Sequence, residues 1–114
     1  MFEYFVYILT NKWNTTLYIG FTNDIIRRIH EHRSKKFMGF TKKYNIQKLV
    51  YFEKALTAEE AKIREQQLKK WNRQWKINLI EKMNPDWEDL SLRFDEYMTH
   101  DEILKLLFGN KNSI

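Results

Sequence analysis

The chain of 114 residues contains no cysteine, only one proline and only three glycines. The absence of cysteine excludes disulfide cross-links, thiolate metal sites and cysteine nucleophiles. So little proline and glycine is atypical of collagen-like or linker-rich chains. No apolar run reaches the roughly 18 residues that a membrane-spanning helix requires, and we expect no signal peptide. With 43% hydrophobic and 16% aromatic residues, the composition predicts one compact domain located in the cytoplasm.

Positive charge is concentrated in the first three quarters of the chain. Residues 1–84 contain 17 lysines and arginines against eight acidic residues, whereas residues 85–114 contain three against seven. The segment 27–48 is the most basic, with eight basic residues and one acidic residue. Such a concentration favours a polyanionic partner, above all nucleic acid. Charge alone leaves open the alternative that the basic surface only keeps the protein soluble.

The apolar pattern predicts two strands, a helix, a third strand and two more helices. Segments rich in aromatic and β-branched residues predict strands at 2–9, 15–21 and 46–53. Helical spacing and capping residues predict helices at 25–34, 58–71, 73–82 and 103–108. On the third of these helices, Trp75, Leu79, Ile80 and Met83 form the predicted apolar side. The fold class is therefore predicted to be an α/β (α+β) sandwich, with a small, mainly antiparallel three-stranded sheet flanked by helices.

The last 30 residues of the chain carry an excess of acidic residues. We expect residues 1–90 to form the domain and residues 91–114 to form an acidic helical extension. Two roles for this extension stay open. It could bind a basic protein partner, or it could fold over the basic face of the domain and compete with nucleic acid.

A carboxylate lies inside an apolar stripe on the predicted helix of residues 58–71. Glu65 falls between Ala61 and Leu68 at helical spacing. Burying an unpaired carboxylate costs several kcal/mol, so Glu65 must be paired or must bind a cation. Periodicity leaves both possibilities open, because Glu65 could also lie at the edge of the stripe, extended to solvent or paired with Arg64 or Lys69.

Arg28 and His32 lie four residues apart and therefore share a face of the first predicted helix. They lie near the apolar side that Ile25 and Ile29 form. Two basic side chains beside a buried surface suggest that an anion binds between them. A solvated basic face is the alternative.

Two tyrosines lie on the predicted hairpin. The hydroxyls of Tyr7 and Tyr18 can face one site, and Gly20 follows two residues after the second tyrosine. A glycine within a strand often marks the close approach of a ligand or of another backbone. Ordinary strand tyrosines are the alternative interpretation, because tyrosine is common in strands.

Several ordered motifs resemble those of the GIY-YIG nuclease superfamily. The matching segments are 4–9, 17–20, 23–32, 60–71 and 84–90. Together they cover residues 2 to 90 and resemble the small, single-domain bacterial branch of that superfamily, whose members are predicted endonucleases. One departure is visible, because Phe5 stands where the first motif has a glycine. We expect this replacement to affect packing more than chemistry.

The resemblance implies a metal-dependent endonuclease that hydrolyses DNA phosphodiester bonds, selective for structure more than sequence, in DNA repair or recombination. The catalytic residues that it implies are Tyr7, Tyr18, Arg28, His32 and Glu65. Arg28 would contact the scissile phosphate, and His32 would orient the attacking water or move its proton. Glu65 would hold one Mg²⁺ or Mn²⁺ ion per site. A nucleic-acid-binding module without catalysis is the alternative function.

Tyr18 would be the catalytic tyrosine of the second motif, with Tyr7 as its neighbour. As a general base, Tyr18 needs a pKa below its ordinary value of about 10. We expect Arg28, His32 and nearby lysines to lower this pKa, because positive charge stabilises the phenolate. Tyr18 acting as a covalent nucleophile is the alternative that the sequence leaves open.

Contacts to the nucleic-acid backbone are expected from the first helix and from the loop that follows it. The residues expected to make these contacts are Arg27, Lys35, Lys36, Lys42 and Lys43. Lysine and arginine bind phosphates without reading sequence, so affinity should depend on salt and on nucleic-acid shape. The expected partner is DNA, which could be branched or flapped. A protein partner could also target the enzyme, since the chain carries no zinc finger or helix-turn-helix motif.

Overall fold

A three-stranded antiparallel sheet forms the centre of the computed structural model, which describes residues 3–34, 46 and 48–93. The strands are β1 (Tyr4–Thr10), β2 (Leu17–Thr22) and β3 (Lys48–Ala55), in the spatial order β2-β1-β3. The helices are α1 (Ile25–Ser34), α2 (Ala58–Lys70) and α3 (Arg73–Met83), followed by a 3₁₀ turn at Leu90–Arg93. Both strand pairs are antiparallel. The predicted element order is therefore confirmed over this part of the chain.

β1 is buried along most of its length because it lies between the other two strands and is covered on both faces. Successive side chains of a strand point to opposite faces. Phe5, Tyr7 and Leu9 therefore belong to one core cluster, whereas Val6 and Ile8 belong to the other. This double burial explains why the segment consists of an almost continuous run of apolar residues.

The helices cover the two faces of the sheet unequally. α1 covers the face of Tyr7, where Ile25 and Ile29 enter the core. α2 and α3 cover the opposite face through Ala61, Leu68 and Ile80. The predicted α+β sandwich is confirmed, and its small sheet is antiparallel throughout the described strands.

Each helix begins at a side-chain cap. The caps are Asp24 for α1, Thr57 for α2 and Asn72 for α3, and each accepts a hydrogen bond from the amide three residues later, at 3.1, 3.1 and 2.9 Å respectively. Glu60 adds a second contact at the start of α2 by accepting a hydrogen bond of 3.3 Å from the amide of Leu56, the residue before the cap. These bonds satisfy amides that have no partner within the helix.

The hairpin loop between β1 and β2 is ordered by Asn11. Its Oδ1 accepts a hydrogen bond of 2.9 Å from the Thr15 amide, and its Nδ2 donates one of 2.8 Å to Thr15 Oγ1. Asn14 has a φ of 58°, in the left-handed region that asparagine adopts more readily than most residues. The turn between the two strands therefore depends on two asparagines.

The prediction for the apolar side of α3 is wrong at its first turn. Ile80 is buried and Leu79 and Met83 pack against the core, but Trp75 is 56% exposed. Only the second half of α3 packs against the sheet, so helical spacing alone placed this tryptophan incorrectly. The helix predicted at 103–108 lies outside the described residues. None of the described helices has the length and apolar character needed to cross a membrane.

Asn84 ends α3 and fixes the following segment to β3. Its buried Nδ2 donates hydrogen bonds to the carbonyls of Val50 at 3.1 Å and Glu88 at 2.8 Å, and its Oδ1 accepts one from the Glu88 amide at 3.0 Å. Asp89 Oδ1 accepts a further hydrogen bond of 3.1 Å from the Leu49 amide. The chain after α3 is therefore held beside β3 by two side chains.

We predict that Asn84→Ala lowers the free energy of unfolding by about 2–3 kcal/mol, because it removes three hydrogen bonds and leaves buried backbone groups without them. Urea denaturation followed by circular dichroism measures this change. Asn78→Ala is the matched control, since Asn78 is exposed and accepts a hydrogen bond from Gln74 on the helix surface. Equal stability of the two variants would contradict the role of Asn84.

Candidate active site

Two tyrosines from neighbouring strands form the centre of the candidate site. The ring centroids of Tyr7 and Tyr18 lie 6.4 Å apart, and the ring planes are inclined by 34°. The register pairs Tyr7 with Gly20 and Leu9 with Tyr18, which places both phenols on the face that α1 covers. Tyr7 is buried and Tyr18 is half-buried, so Tyr18 is the more accessible phenol.

Gly20 makes room for the Tyr7 phenol. A Cβ atom at this position would lie 2.5 Å from Tyr7 Oη and 2.7 Å from its Cζ, and 3.3 Å from Tyr18 Cε1. The first two distances are far shorter than any van der Waals contact, so a side chain at position 20 would displace Tyr7. The sequence correctly indicated a close approach at this glycine, but the approaching group is a phenol of the same sheet.

Arg28 brings positive charge to the two phenols from α1. It precedes the buried Ile29 and its own side chain is 28% exposed. Its Nε lies 3.7 Å from Glu31 Oε1, one turn later on the same helix. Burial raises the pKa of both tyrosines, and the positive charge of Arg28 opposes this increase.

Glu65 approaches the tyrosines from α2, the helix on the opposite face of the sheet. Its side chain is only 15% exposed, and its Oε1 lies 3.2 Å from Lys69 Nζ. Its negative charge raises the pKa of Tyr7 and of Tyr18. The carboxylate is therefore paired with Lys69, one of the two partners that the sequence offered, and it also acts on both phenols.

Arg64, the other potential partner of Glu65, points to a different acidic residue. Its Nε and Nη2 donate to the two carboxylate oxygens of Glu53 at 2.8 and 3.2 Å. Tyr51 donates a hydrogen bond of 2.6 Å to the same carboxylate. This network joins β3 to α2 next to Glu65.

The prediction that the site lowers the pKa of Tyr18 is wrong for the free protein. Burial raises this pKa above its ordinary value, Arg28 lowers it as expected, and Glu65 raises it again. Burial also raises the pKa of Tyr7, with further increases from the Tyr18, Glu65 and Glu31 charges. Loss of solvent and negative charge therefore outweigh Arg28, and the pKa of each phenol lies above the ordinary tyrosine value of about 10.

Glu31 is a site residue that the sequence reasoning missed. Its carboxylate contacts Arg28 and raises the pKa of Tyr7. The spacing of three residues between Arg28 and Glu31 on a helix was the available signal, because such pairs share a face.

The structure describes the other predicted site residues only in part. Arg27 is exposed on α1, as a residue that contacts nucleic acid must be. His32 lies on α1 one turn after Arg28, and the structure describes only its backbone. The lysines assigned to DNA contact, which are Lys35, Lys36, Lys42 and Lys43, also lie outside the described residues. Their roles stay predictions.

Comparison with known families places the chain in a recognised class of proteins. A model of the GIY-YIG catalytic domain matches residues 3–78, the segment that contains every residue predicted to be catalytic. The chain belongs to the GIY-YIG family, which is a nuclease family. Phe5, at the position of the first motif's glycine, is fully buried and packs edge-on against Phe52 with ring centroids 5.9 Å apart.

Within this family the chain is similar to small proteins named UPF0213. It is 37% identical over 81 residues to one from Staphylococcus haemolyticus, covering 71% of this chain and 98% of that protein. It is 39% identical over 87 residues to one from Syntrophus aciditrophicus, covering 75% and 98%. The solution NMR structure of a UPF0213 protein from Bacillus halodurans is 31% identical and has a TM-score of 0.49, covering 76% of this chain and 92% of that one.

We predict opposite shifts of the Tyr18 pKa in two variants. Arg28→Met should raise it further, because it removes the positive charge that stabilises the phenolate, and Glu65→Gln should lower it. NMR titration of protein labelled at the tyrosine Cζ carbons measures both shifts, with Tyr18→Phe to assign the resonance. Glu59→Gln, an exposed carboxylate on the same helix, is the control. An unchanged Tyr18 pKa in Glu65→Gln would contradict the proximity of the two groups.

Proposed function

We propose that this protein is a metal-dependent endonuclease that hydrolyses DNA phosphodiester bonds. The observation that carries the proposal is the meeting of Tyr18, Arg28 and Glu65, from three different elements, around one electrostatically coupled site. Phosphodiester hydrolysis needs an activated water, stabilisation of charge on the phosphate and a proton for the leaving oxygen. These residue types can meet those needs, and membership of a nuclease family supports the same reaction.

Arg28 is the proposed phosphate-binding residue. A guanidinium donates two parallel hydrogen bonds to a phosphate, which fixes orientation as well as charge. The contact with Glu31 limits the motion of the arginine, whose side chain is 28% exposed. Arg28 would therefore present an oriented donor pair to the scissile phosphate beside Tyr18.

Tyr18 is proposed to activate the water, either directly or as the phenolate. Its phenol is protonated in the free protein, since burial raises its pKa. For Tyr18 to act as the phenolate, its proton must pass to the solvent as the substrate site is assembled, and the charge of Arg28 favours that loss. Neutralising the charge of Glu65 would favour it too, because this charge opposes the phenolate. Attack by Tyr18 itself as a nucleophile is the second assignment for the same side chain.

Glu65 is the proposed ligand of one Mg²⁺ or Mn²⁺ ion. Its little-exposed carboxylate acts on both phenols, and oxygen donors are what these cations prefer. Among the residues that the structure describes, no three acidic or histidine side chains are grouped as ligands. A single carboxylate suits magnesium, which usually keeps several of its waters. When bound, the cation would supply charge stabilisation to the phosphate and the leaving 3′ oxygen.

Selectivity for DNA structure over sequence is part of the proposal, and so is a role in repair or recombination. The residues assigned to DNA binding are arginines and lysines, which contact phosphates and carry no sequence information. Arg27 is exposed on the helix that also carries Arg28. DNA shape, or a partner protein, would then decide where the enzyme cuts.

We predict that Glu65→Gln and Arg28→Ala each reduce nicking of plasmid DNA by about a hundredfold or more in Mg²⁺, because each removes charge stabilisation from the reacting phosphate. Binding to DNA should survive in both variants, since many phosphate contacts share the affinity. Gel assays of nicking and of mobility shift measure the two properties.

Glu59→Gln is the matched control for Glu65→Gln, because both change a glutamate of α2 to glutamine and Glu59 is exposed. Equal cleavage by the wild type and both site variants would show that the activity is a contaminant. Tight binding without cleavage of duplex, single-stranded, flapped and branched DNA by the wild type would favour the binding module without catalysis.

We also predict that Tyr18→Phe loses most of the nicking activity while the fold is retained, because the phenylalanine ring keeps the packing and only the hydroxyl is removed. Initial rates in Mg²⁺ between pH 6 and 9 measure the effect, and thermal unfolding checks the fold. Retained activity over this range would move the role of general base or nucleophile to another residue.

A further inference from the structure

Two tryptophans that have no role in the candidate active site are exposed to solvent. Trp13, in the hairpin loop, is 65% exposed, and Trp75, on the first turn of α3, is 56% exposed. Lys12 Nζ lies 4.5 Å from the centre of the Trp13 ring, and Trp75 lies edge-on to Trp71 with ring centroids 5.9 Å apart. Exposed indoles held in place in this way are typical of contact surfaces.

The hairpin loop and the start of α3 are neighbours in the fold. Arg73 Nη2 donates a hydrogen bond of 3.1 Å to the carbonyl of Asn14, although the two residues are far apart in sequence. Trp13 precedes this asparagine and Trp75 lies two residues after the arginine. The two exposed indoles therefore belong to one end of the molecule, which we call the tryptophan surface and define as residues 11–16 and 66–76.

The tryptophan surface is strongly basic. Its two segments contain five lysines and arginines and no acidic residue; the basic residues are Lys12, Lys69, Lys70, Arg73 and Lys76. Positive charge interleaved with exposed aromatic rings matches a strand of nucleic acid, whose phosphates bind the charges and whose bases stack on the rings. An apolar protein partner would not account for such one-sided charge.

The surface begins next to the candidate active site. Lys69, which belongs to it, forms the ion pair of 3.2 Å with Glu65. Trp71 contacts the Arg64 guanidinium, whose carbon lies 5.2 Å from the ring centre. A strand that leaves the site along the end of α2 would therefore meet Lys69 first and then the tryptophans.

We propose that the tryptophan surface binds an unpaired DNA strand adjacent to the scissile phosphate, an inference that rests on the proposed nuclease function. Bases in a duplex are stacked on each other and their faces are not available to an indole. Bases of a single strand are available, so the surface would favour DNA that carries a single-stranded arm beside the cleaved bond. This assignment gives a physical origin to selectivity for DNA structure.

The test measures binding to a fluorescent oligothymidylate of about 20 nucleotides and to a blunt duplex of equal length, in EDTA and without divalent metal. Trp13→Ala and Trp75→Ala should each weaken oligothymidylate binding about fivefold or more, because stacking is lost, and the double variant should weaken it further. Duplex binding should change much less. Trp13→Phe and Trp75→Phe should restore most of the affinity, since an aromatic ring is kept.

Leu56→Ala and Leu92→Ala are the controls, because these leucines are 68% and 79% exposed and lie outside the tryptophan surface. Thermal unfolding verifies that all variants are folded. Unchanged oligothymidylate binding in the double alanine variant would overturn the inference, and so would an equal loss on duplex. Tighter binding of the wild type to oligouridylate than to oligothymidylate would overturn the assignment to DNA.

The use of EDTA separates this inference from the proposed function. Binding is measured where no metal-dependent cleavage occurs, and nicking is measured independently in Mg²⁺. Nicking without selective binding to the single strand would overturn the inference alone. Selective binding that depends on the two tryptophans, without nicking of any substrate, would overturn the nuclease function and leave a binding surface for single strands.

Discussion

The position of the Tyr7 phenol over the Gly20 backbone is the constraint on which the candidate site depends. A methyl group at position 20 would occupy the space of the Tyr7 hydroxyl, so the strand pairing and the phenol position are set together. Tyr18 then lies beside Tyr7, and α1 closes over the same face through Ile25 and Ile29. The position of Arg28 relative to the phenols follows from this packing.

Glu65 reaches the same site from the other side of the sheet, and a separate polar network fixes its helix. Arg64, its neighbour in sequence, is held by both carboxylate oxygens of Glu53 on β3, and Tyr51 supports that carboxylate. Such a bidentate pair restricts the rotation of α2 about its axis as well as its distance from the sheet. The carboxylate proposed as catalytic is thus positioned through α2 and β3, whereas the phenols are positioned through β1, β2 and α1.

Much of the fold could be predicted from the sequence because its signals are local. Each of these signals comes from residues that are close together in the sequence. They are the helix caps at Thr57 and Asp24, the apolar strands, and the unusual position of Glu65 among buried residues. Two failures, Trp75 and the Tyr18 pKa, have a common cause. Solvent exposure and desolvation depend on what packs from distant parts of the chain, and neither helical spacing nor a list of nearby charges contains that information.

The segment after α3 has a consequence for how the protein behaves in concentrated solution. β3 is an edge strand, and unpaired backbone groups on such an edge invite a strand from another molecule. Here the Leu49 amide already donates a hydrogen bond to Asp89, and the Val50 carbonyl already accepts one from Asn84. An incoming strand would have to displace two buried or half-buried side chains before it could add to the sheet. The segment that follows α3 thereby also hinders strand addition at the start of β3.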